Sequence, residues 1–314
     1  MHSYLEIENI KYIGNRYEVP TTIVSANKLL FEAGKTTAII GSNGSGKSTL
    51  LNVIMGLRPD FTFKAKFLGQ TYSDIPPPSR NRIGYVSQNI SFPSGTNVKD
   101  IFYFYSKVYG PCESNSSEKI LSLVPENLQR ASFDNLSSGQ KQRVNIFIAL
   151  NHQPDLALLD EPERSLDDLR IRNVAKIIAE RASLRKTTIV ATHNEKILSA
   201  AENVILMIDG KVSYQGRLKD LIYERLGEGT LEIIINKESE YRFIMSMFEG
   251  NCDCKMRIRP DDGRLLLFGK STISHVLQSS SIKNISFTWR NLTPKDLLLS
   301  IEGHNFCDDC VSSV

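Results

Sequence analysis

One short segment of the chain has the glycine, lysine and hydroxyl spacing of a loop that binds phosphate groups. It reads Gly41, Ser42, Asn43, Gly44, Ser45, Gly46, Lys47, Ser48 and Thr49. In such a loop the glycines let successive backbone N–H groups turn inward around a phosphate chain. Lys47 reaches the terminal phosphates, and the Ser48 hydroxyl can coordinate Mg²⁺. A β-prone run at 35–40 precedes the loop and an apolar helical run at 49–55 follows it, so we predict a nucleotide-binding site at a strand end.

The composition is that of a folded chain with room for two domains. The 314 residues include 41% hydrophobic and 23% charged residues, which is ordinary for a globular protein. No run approaches the roughly 18 to 20 apolar residues that cross a bilayer, and the N-terminus lacks an apolar signal segment. We therefore expect a cytosolic chain.

The net charge of +3 is scattered through the sequence, so it gives no indication of nucleic-acid binding.

Two carboxylates end a second apolar run, at 156–161. The run predicts a buried strand, and its carboxyl end is where an Mg-ATP hydrolase needs acidic groups. Asp160 would hold Mg²⁺ through water, and Glu161 would polarise the water that attacks the γ-phosphate. An isolated Asp-Glu pair also fits a solvated acidic turn, so the assignment depends on the rest of the chain.

About twenty residues before Asp160, the segment 136–143 reads Leu-Ser-Ser-Gly-Gln-Lys-Gln-Arg and runs into an apolar helical segment. It predicts a helix N-terminus whose N–H groups and positive dipole end can meet a phosphate. As a lone pattern it could equally be an ordinary helix cap.

These segments, with 162–167, occur in the order found in ATP-binding cassette (ABC) ATPases, and residues 3–225 resemble that family's nucleotide-binding domain. Ser138 stands where the family usually has glycine. By resemblance, Gln88 reaches Mg²⁺ and the attacking water, and His193 contacts the γ-phosphate. Tyr17 is expected to stack on adenine, with Tyr12 as the alternative. The resemblance thus implies Glu161, His193, Gln88 and Lys47 as catalytic residues; Ser48, Gln88 and Asp160 as Mg²⁺ ligands; and Tyr17, residues 41–49, Ser137, Gly139 and Gln140 as ATP contacts.

The resemblance also implies the architecture. We expect an α/β phosphate-loop core with an antiparallel β-subdomain and a helical subdomain at about 91–136, together forming a domain over 1–226. Two cassettes would pack head to tail, each ATP lying between the Lys47 loop of one copy and Ser137 and Gly139 of the other.

A second domain is predicted over 227–314, after the Gly-Glu-Gly stretch at 227–229. Its apolar patterns predict a small α+β fold of order βαββαβ, a split βαβ sandwich. The predicted strands are 230–235, 255–259, 264–268 and 282–289, the predicted helices are 238–248 and 271–278, and a closing helix is predicted at 291–299.

Three kinds of ABC protein compete for this sequence. Translation-type members carry two cassettes and repair-type members carry a long coiled-coil insertion, and neither feature is present. We therefore predict the ATPase subunit of a transporter, bound at the cytoplasmic face of the membrane to a separate permease. The aromatic segment 92–110 resembles bacterial drug, peptide and antibiotic exporters, which favours export, although such a cluster also fits plain helical core. The alternative is a regulatory ABC ATPase that acts on a protein partner without transport.

Cysteines and a histidine near the C-terminus raise the question of a zinc site. They are Cys252, Cys254, His304, Cys307 and Cys310. Thiolates and imidazole suit tetrahedral Zn²⁺, but this spacing is not diagnostic. A metal site and unpaired thiols therefore both stay open.

Overall fold

The computed structural model describes residues 3–16, 19–57, 62–67, 70–71, 82–110, 118–234, 255–259, 264–268 and 287–301. The chain divides into two compact units, Met1–Arg217 and Leu218–Val314. Helix α8 (Leu218–Leu226) therefore belongs to the second unit, whereas the predicted boundary followed it. No helix in these ranges is long and apolar enough to cross a bilayer.

The first unit is built on one sheet that is antiparallel at one side and parallel at the other. Its strands are β1 (Ser3–Arg16), β2 (Val19–Glu32), β3 (Thr36–Ile40), β4 (Thr62–Phe67), β5 (Gln70–Thr71), β6 (Ile83–Val86), β7 (Leu156–Asp160), β8 (Thr187–Ala191), β9 (Asn203–Ile208) and β10 (Lys211–Arg217). The strand order is β5-β4-β1-β2-β10-β9-β3-β8-β7-β6. From β9 to β6 every pairing is parallel, and β1 pairs antiparallel with β2 and β4.

Every residue of the central strands β3, β7 and β8 is buried. Parallel strands that are covered on both faces read as continuous apolar runs rather than as alternating ones. This is why the sequence around the phosphate loop, Asp160 and His193 shows short apolar runs that end abruptly in polar residues. The mixed α/β fold predicted for this part of the chain is confirmed.

Helices cover the sheet and form the helical subdomain. They are α1 (Lys47–Met55), α2 (Val98–Tyr109), α3 (Glu118–Leu121), α4 (Glu126–Gln129), α5 (Ser138–Leu150), α6 (Asp168–Ser183) and α7 (Glu195–Leu198), with a 3₁₀ turn at Phe133–Asn135. Helices α2 to α4 and the 3₁₀ turn lie within the range 91–136 where the helical subdomain was expected, and α5 follows that range. Phe92 packs edge-to-face against Phe133 of the 3₁₀ turn, with ring centroids 4.8 Å apart.

The second unit contains a separate antiparallel sheet. Its strands are β11 (Thr230–Ile234), β12 (Lys255–Arg259), β13 (Arg264–Phe268) and β14 (Phe287–Arg290), in the order β12-β13-β11-β14, and helix α9 (Pro294–Ile301) follows. The four strands lie where the sequence predicts strands. The two predicted helices at 238–248 and 271–278, and the cysteines and histidine considered as zinc ligands, lie outside the described residues.

An ion pair joins the last strand of this unit to its closing helix. The Asp296 carboxylate is fully buried and accepts two hydrogen bonds of 2.8 Å from the Arg290 guanidinium and two more of 2.8 Å from Thr293. Burial alone would raise the pKa of Asp296, but the hydrogen bonds from Arg290 and Thr293 outweigh it and lower the pKa. Arg290 also donates to Glu232 of β11.

We predict that Asp296→Asn weakens the second unit, because it removes a charged acceptor from a guanidinium that stays in place. The free energy of unfolding should fall by roughly 2 kcal/mol. Urea denaturation can be followed by the fluorescence of Trp289, the single tryptophan of the chain, which lies in β14. Asp220→Asn, at an exposed position of α8, is the control. Equal midpoints for the two variants would contradict the prediction.

Candidate nucleotide-binding site

The phosphate loop joins the end of β3 to the first turn of α1, as predicted. A side chain is excluded at Gly41, because a Cβ there would lie 2.3 Å from the Met207 carbonyl oxygen of β9. Gly46 caps α1 with φ 99°, a conformation that favours glycine. The loop backbone is thus held tightly against the sheet, with its N–H groups at the N-terminus of α1.

The Lys47 side chain lies inside the loop. Its ammonium donates to the carbonyl oxygens of Gly41 and Ser42 at 2.9 and 3.0 Å, and the residue is 6% exposed. Burial lowers the pKa of Lys47, while the charges of Glu161 and Asp160 raise it in part. The positive charge therefore lies beside the two carboxylates that the sequence analysis assigned to hydrolysis.

A chain of hydrogen bonds joins the three predicted Mg²⁺ ligands. Gln88 Nε2 donates to Ser48 Oγ at 2.9 Å, and Ser48 Oγ donates to Asp160 Oδ1 at 3.0 Å. These residues come from the loop after β6, the start of α1 and the end of β7. Burial raises the pKa of Asp160 to about 6, with Ser48 opposing and the charge of Glu161 adding to the rise.

This donor set fits Mg²⁺. The ion prefers oxygen ligands and usually takes one or two carboxylates together with substrate phosphates and water. Ser48, Asp160 and Gln88 each supply an oxygen atom, and a cation beside Asp160 would offset the desolvation of its buried carboxylate. Among the described residues no group of three or more acidic, histidine or cysteine side chains could hold a metal ion by itself.

Glu161 and His193 face each other across the ends of β7 and β8. Their closest atoms, Glu161 Oε1 and His193 Nδ1, are 3.6 Å apart. Glu161 has φ 46°, and its N–H donates to the Ala191 carbonyl at 3.0 Å, so the turn after β7 is tied to the end of β8. The two predicted catalytic side chains are therefore neighbours.

A cavity of about 620 Å³ brings Lys47, Ser48, Gln88 and Glu161 together, whereas Asp160 and His193 are not in its lining. It is lined by Ile23, Asn43, Gly44, Gly46, Lys47, Ser48, Thr49, Gln88, Glu161, Asp209 and Gly210. The sequence analysis missed Ile23, Asp209 and Gly210. The Gly210 N–H donates to the Ser45 carbonyl at 3.1 Å, which holds Gly210 beside the phosphate loop. This contact joins distant segments, so no local sequence pattern predicts it.

No aromatic side chain is among the described residues that line this cavity. Tyr17 lies outside the described residues, so its role stays a prediction. The competing residue, Tyr12, is 9% exposed and packs within the core of the first unit.

The residues predicted to contact ATP from a second copy form the start of α5. Ser137 and Gln140 make a reciprocal capping box: Ser137 Oγ accepts from the Gln140 N–H, and Gln140 Oε1 accepts from the Ser137 N–H at 2.8 Å. A Cβ at Gly139 would lie 2.5 Å from the Ser165 carbonyl oxygen. None of the three lines the cavity that holds Lys47.

Comparisons with known proteins decide the family. The sequence pattern of the ABC transporter family matches residues 25–164. A methionine import ATP-binding protein from Clostridium tetani is 31% identical over 228 residues, which cover 69% of this chain and 71% of that protein. The chain belongs to the ABC transporter ATP-binding family.

Other similar proteins agree with this ABC assignment. An uncharacterized ABC transporter ATP-binding protein from Methanocaldococcus jannaschii is 27% identical over 77% of this chain and 88% of its own length. Further relatives are named for tungstate uptake and Fe(3+) import. A solved dimeric ATP-binding cassette with ADP and Pi bound has a TM-score of 0.60 at 23% identity, and the match covers 68% of this chain and 98% of that one. This last likeness shows the shared fold.

Two buried amides of α5 support the site of this ABC ATPase and were missed by the sequence analysis. Gln142 Nε2 donates to the carbonyls of Glu161 and Pro162 at 3.3 and 3.2 Å, and Asn145 Nδ2 donates to the Ser87 carbonyl at 2.8 Å. Both side chains are under 10% exposed. The available signal was Asn145, a polar residue within the apolar run 144–150, whereas Gln142 lies among polar residues at the start of α5 and no local pattern marks it.

We predict that Asp160→Asn stabilises the nucleotide-free, Mg²⁺-free protein. The pKa of Asp160 rises from the ordinary 3.8 to about 6 on folding, so the ionised carboxylate disfavours the folded state. Above about pH 6 the variant should gain up to about 3 kcal/mol in free energy of unfolding, and the gain should shrink as the pH falls toward 4.

Urea denaturation followed by far-UV circular dichroism at pH 7.5 and pH 5 measures this gain. Asp100→Asn, at an exposed position of α2, is the control and should change little at either pH. A less stable Asp160→Asn at pH 7.5 would show that Ser48 and Lys47 already compensate the buried charge.

Proposed function

We propose that this ABC ATPase hydrolyses Mg-ATP in the Lys47 cavity and drives a separate membrane permease. The observation that carries the proposal is the hydrogen-bond chain that links Gln88 and Ser48, which line the cavity together with Lys47 and Glu161, to Asp160 behind them. Residues after β3, β6, β7 and β9 line this cavity, and the carboxyl ends of parallel strands are where ligands bind in α/β sheets.

Each side chain has a distinct task in this proposal. The Lys47 ammonium and the loop N–H groups neutralise and orient the β- and γ-phosphates. Glu161 accepts the proton of the attacking water, and His193 contacts the γ-phosphate from the next strand end. Ser48, Asp160 and Gln88 hold Mg²⁺, which when bound neutralises charge on the phosphates. Water would be displaced from the cavity as ATP fills it, which strengthens these interactions.

A second copy would complete each site. Ser137, Gly139 and Gln140 present a capped helix N-terminus outside the cavity of their own chain, which supports their use by a partner's ATP. Two solved structures of one ATP-binding cassette with this fold are dimeric. We therefore propose a pair of cassettes, either two copies or this chain with a related one, peripheral at the cytoplasmic face of the membrane through the permease.

The direction of transport stays a prediction. The aromatic segment 92–110 favoured export, whereas relatives named for a substrate are importer subunits for methionine, tungstate and Fe(3+). These names give no support to export. Transport measurements in vesicles that contain this ATPase together with its permease would determine the direction of transport.

We predict that Glu161→Gln abolishes most hydrolysis while keeping ATP binding. The amide preserves the shape of the side chain but cannot accept a proton. Turnover of Mg-ATP should fall by about 10² to 10⁴, with nucleotide affinity retained because the phosphate loop is untouched. Phosphate release and equilibrium ATP binding measure the two effects. Turnover at the wild-type rate would remove Glu161 from the role of base.

We predict that the exposed aromatic face of α2 binds the permease. Tyr103 and Phe104 are 65% and 62% exposed, although they lie in a helix of a folded subdomain. Affinity purification from membranes of the native host should recover a multi-span protein. Phe104→Glu should reduce that recovery roughly tenfold by removing a buried aromatic contact.

Leu184→Glu is the matched control, because Leu184 is 55% exposed after the end of α6. Both variants should bind ATP as the wild type does. Recovery of soluble proteins alone would favour the regulatory alternative, and equal recovery with Phe104→Glu would place the permease elsewhere.

A further inference from the structure

A third carboxylate, Glu163, lies buried at the site and has no task in the mechanism above. It comes two residues after Glu161 and is 7% exposed. Its Oε1 atom accepts a hydrogen bond of 2.6 Å from the Thr192 hydroxyl and one of 3.3 Å from the backbone N–H of His193. One carboxylate oxygen therefore joins the turn after β7 to the turn after β8.

The segment that Glu163 holds is the one that presents His193. Thr192 is 1% exposed, and its N–H donates to the Ile39 carbonyl at 3.2 Å. Its hydroxyl also accepts from the Asn194 N–H at 3.0 Å. The His193 side chain, by contrast, is 47% exposed. Its position beside Glu161 therefore depends on the backbone at Thr192 and His193 more than on packing around the ring.

Burial of Glu163 does not stabilise the fold by itself. Transfer of a carboxylate from water to the interior is unfavourable unless charge and hydrogen bonds compensate it. Burial raises the pKa of Glu163 despite the hydrogen bond from Thr192. Its second oxygen, Oε2, makes no hydrogen bond within the described part of the chain. An apolar side chain would avoid this desolvation but would leave the Thr192 hydroxyl and the His193 N–H without this acceptor.

We propose that Glu163 is a positioning residue for hydrolysis, which acts through Thr192 and the His193 backbone to keep the imidazole against Glu161. The inference rests on the roles proposed for Glu161 and His193. It predicts that the loss of either end of the Glu163–Thr192 hydrogen bond has the same consequence. His193 leaves its place beside Glu161, and turnover falls while ATP binding is kept.

Three variants of the full chain test this. Glu163→Ala removes the acceptor, Thr192→Val removes the donor at nearly constant volume, and Glu163→Gln keeps an acceptor oxygen without the charge. The first two should lower kcat by about tenfold to a hundredfold, with KM for ATP within about twofold of the wild type. Glu163→Gln should lose less, because its amide oxygen still accepts from Thr192.

The imidazole itself supplies a readout that a purely structural role would not move. The chain has five histidines, and the His193 ring proton resonance can be assigned by its loss in His193→Ala. It should shift in Glu163→Ala and Thr192→Val. Glu202→Gln is the control: Glu202 also accepts a backbone N–H, from Thr36 at 2.9 Å, but does not line the cavity, so kcat and the His193 resonance should stay unchanged.

Two results would overturn the role of Glu163. One is a reduced kcat with an unshifted His193 resonance, and the other is a wild-type kcat in Glu163→Ala. If Glu163→Ala fails to fold, Thr192→Val carries the same test. Glu161→Gln tests the proposed mechanism separately. If Glu161→Gln loses turnover while Glu163→Ala stays active, only the role of Glu163 is rejected. If Glu161→Gln still hydrolyses ATP, the proposed mechanism is rejected.

Discussion

The hydrogen-bond chain from Gln88 through Ser48 to Asp160 exists because three parallel strands end at one edge of the sheet. Strands β3, β6 and β7 are parallel through their pairings with β8 and one another, so the segments after them meet. The same edge brings His193, after β8, against Glu161. If one of these strands ran in the opposite direction, its functional residue would lie at the far end of the sheet. The parallel pairing is therefore the constraint on which the site depends.

The burial of carboxylates at these strand ends is unfavourable, and polar groups from neighbouring elements support the turns that carry the site. Asp160 and Glu163 are both nearly inaccessible to water, and burial opposes the ionised form of each. Gln142 and Asn145 satisfy backbone carbonyls of the turns that carry Glu161 and Gln88. A site of this kind loses stability in exchange for a prepared arrangement of charge, as expected where a bound Mg²⁺ would supply positive charge beside Asp160.

The start of α5 shows that one pattern can satisfy a local and a distant requirement together. Ser137 and Gln140 cap their own helix, which an isolated cap would also explain. Gly139 is required because the Ser165 carbonyl approaches so closely. These contacts hold a helix N-terminus in a defined place outside the chain's own cavity, which is the property that a composite site between two cassettes needs.

The sequence alone determined the elements of the site, because each depends on short-range order: glycine spacing in the phosphate loop, acidic residues after an apolar run, and a capping pattern before α5. It also indicated the α/β class and the strands of the second unit. Tertiary structure alone decided the links between distant segments. The Thr192 hydroxyl donates to Glu163, the Asn145 amide donates to the Ser87 carbonyl, and α8 belongs to the second unit. Such contacts join residues far apart in the chain, so no local pattern encodes them, and only the packing of complete elements brings the atoms together.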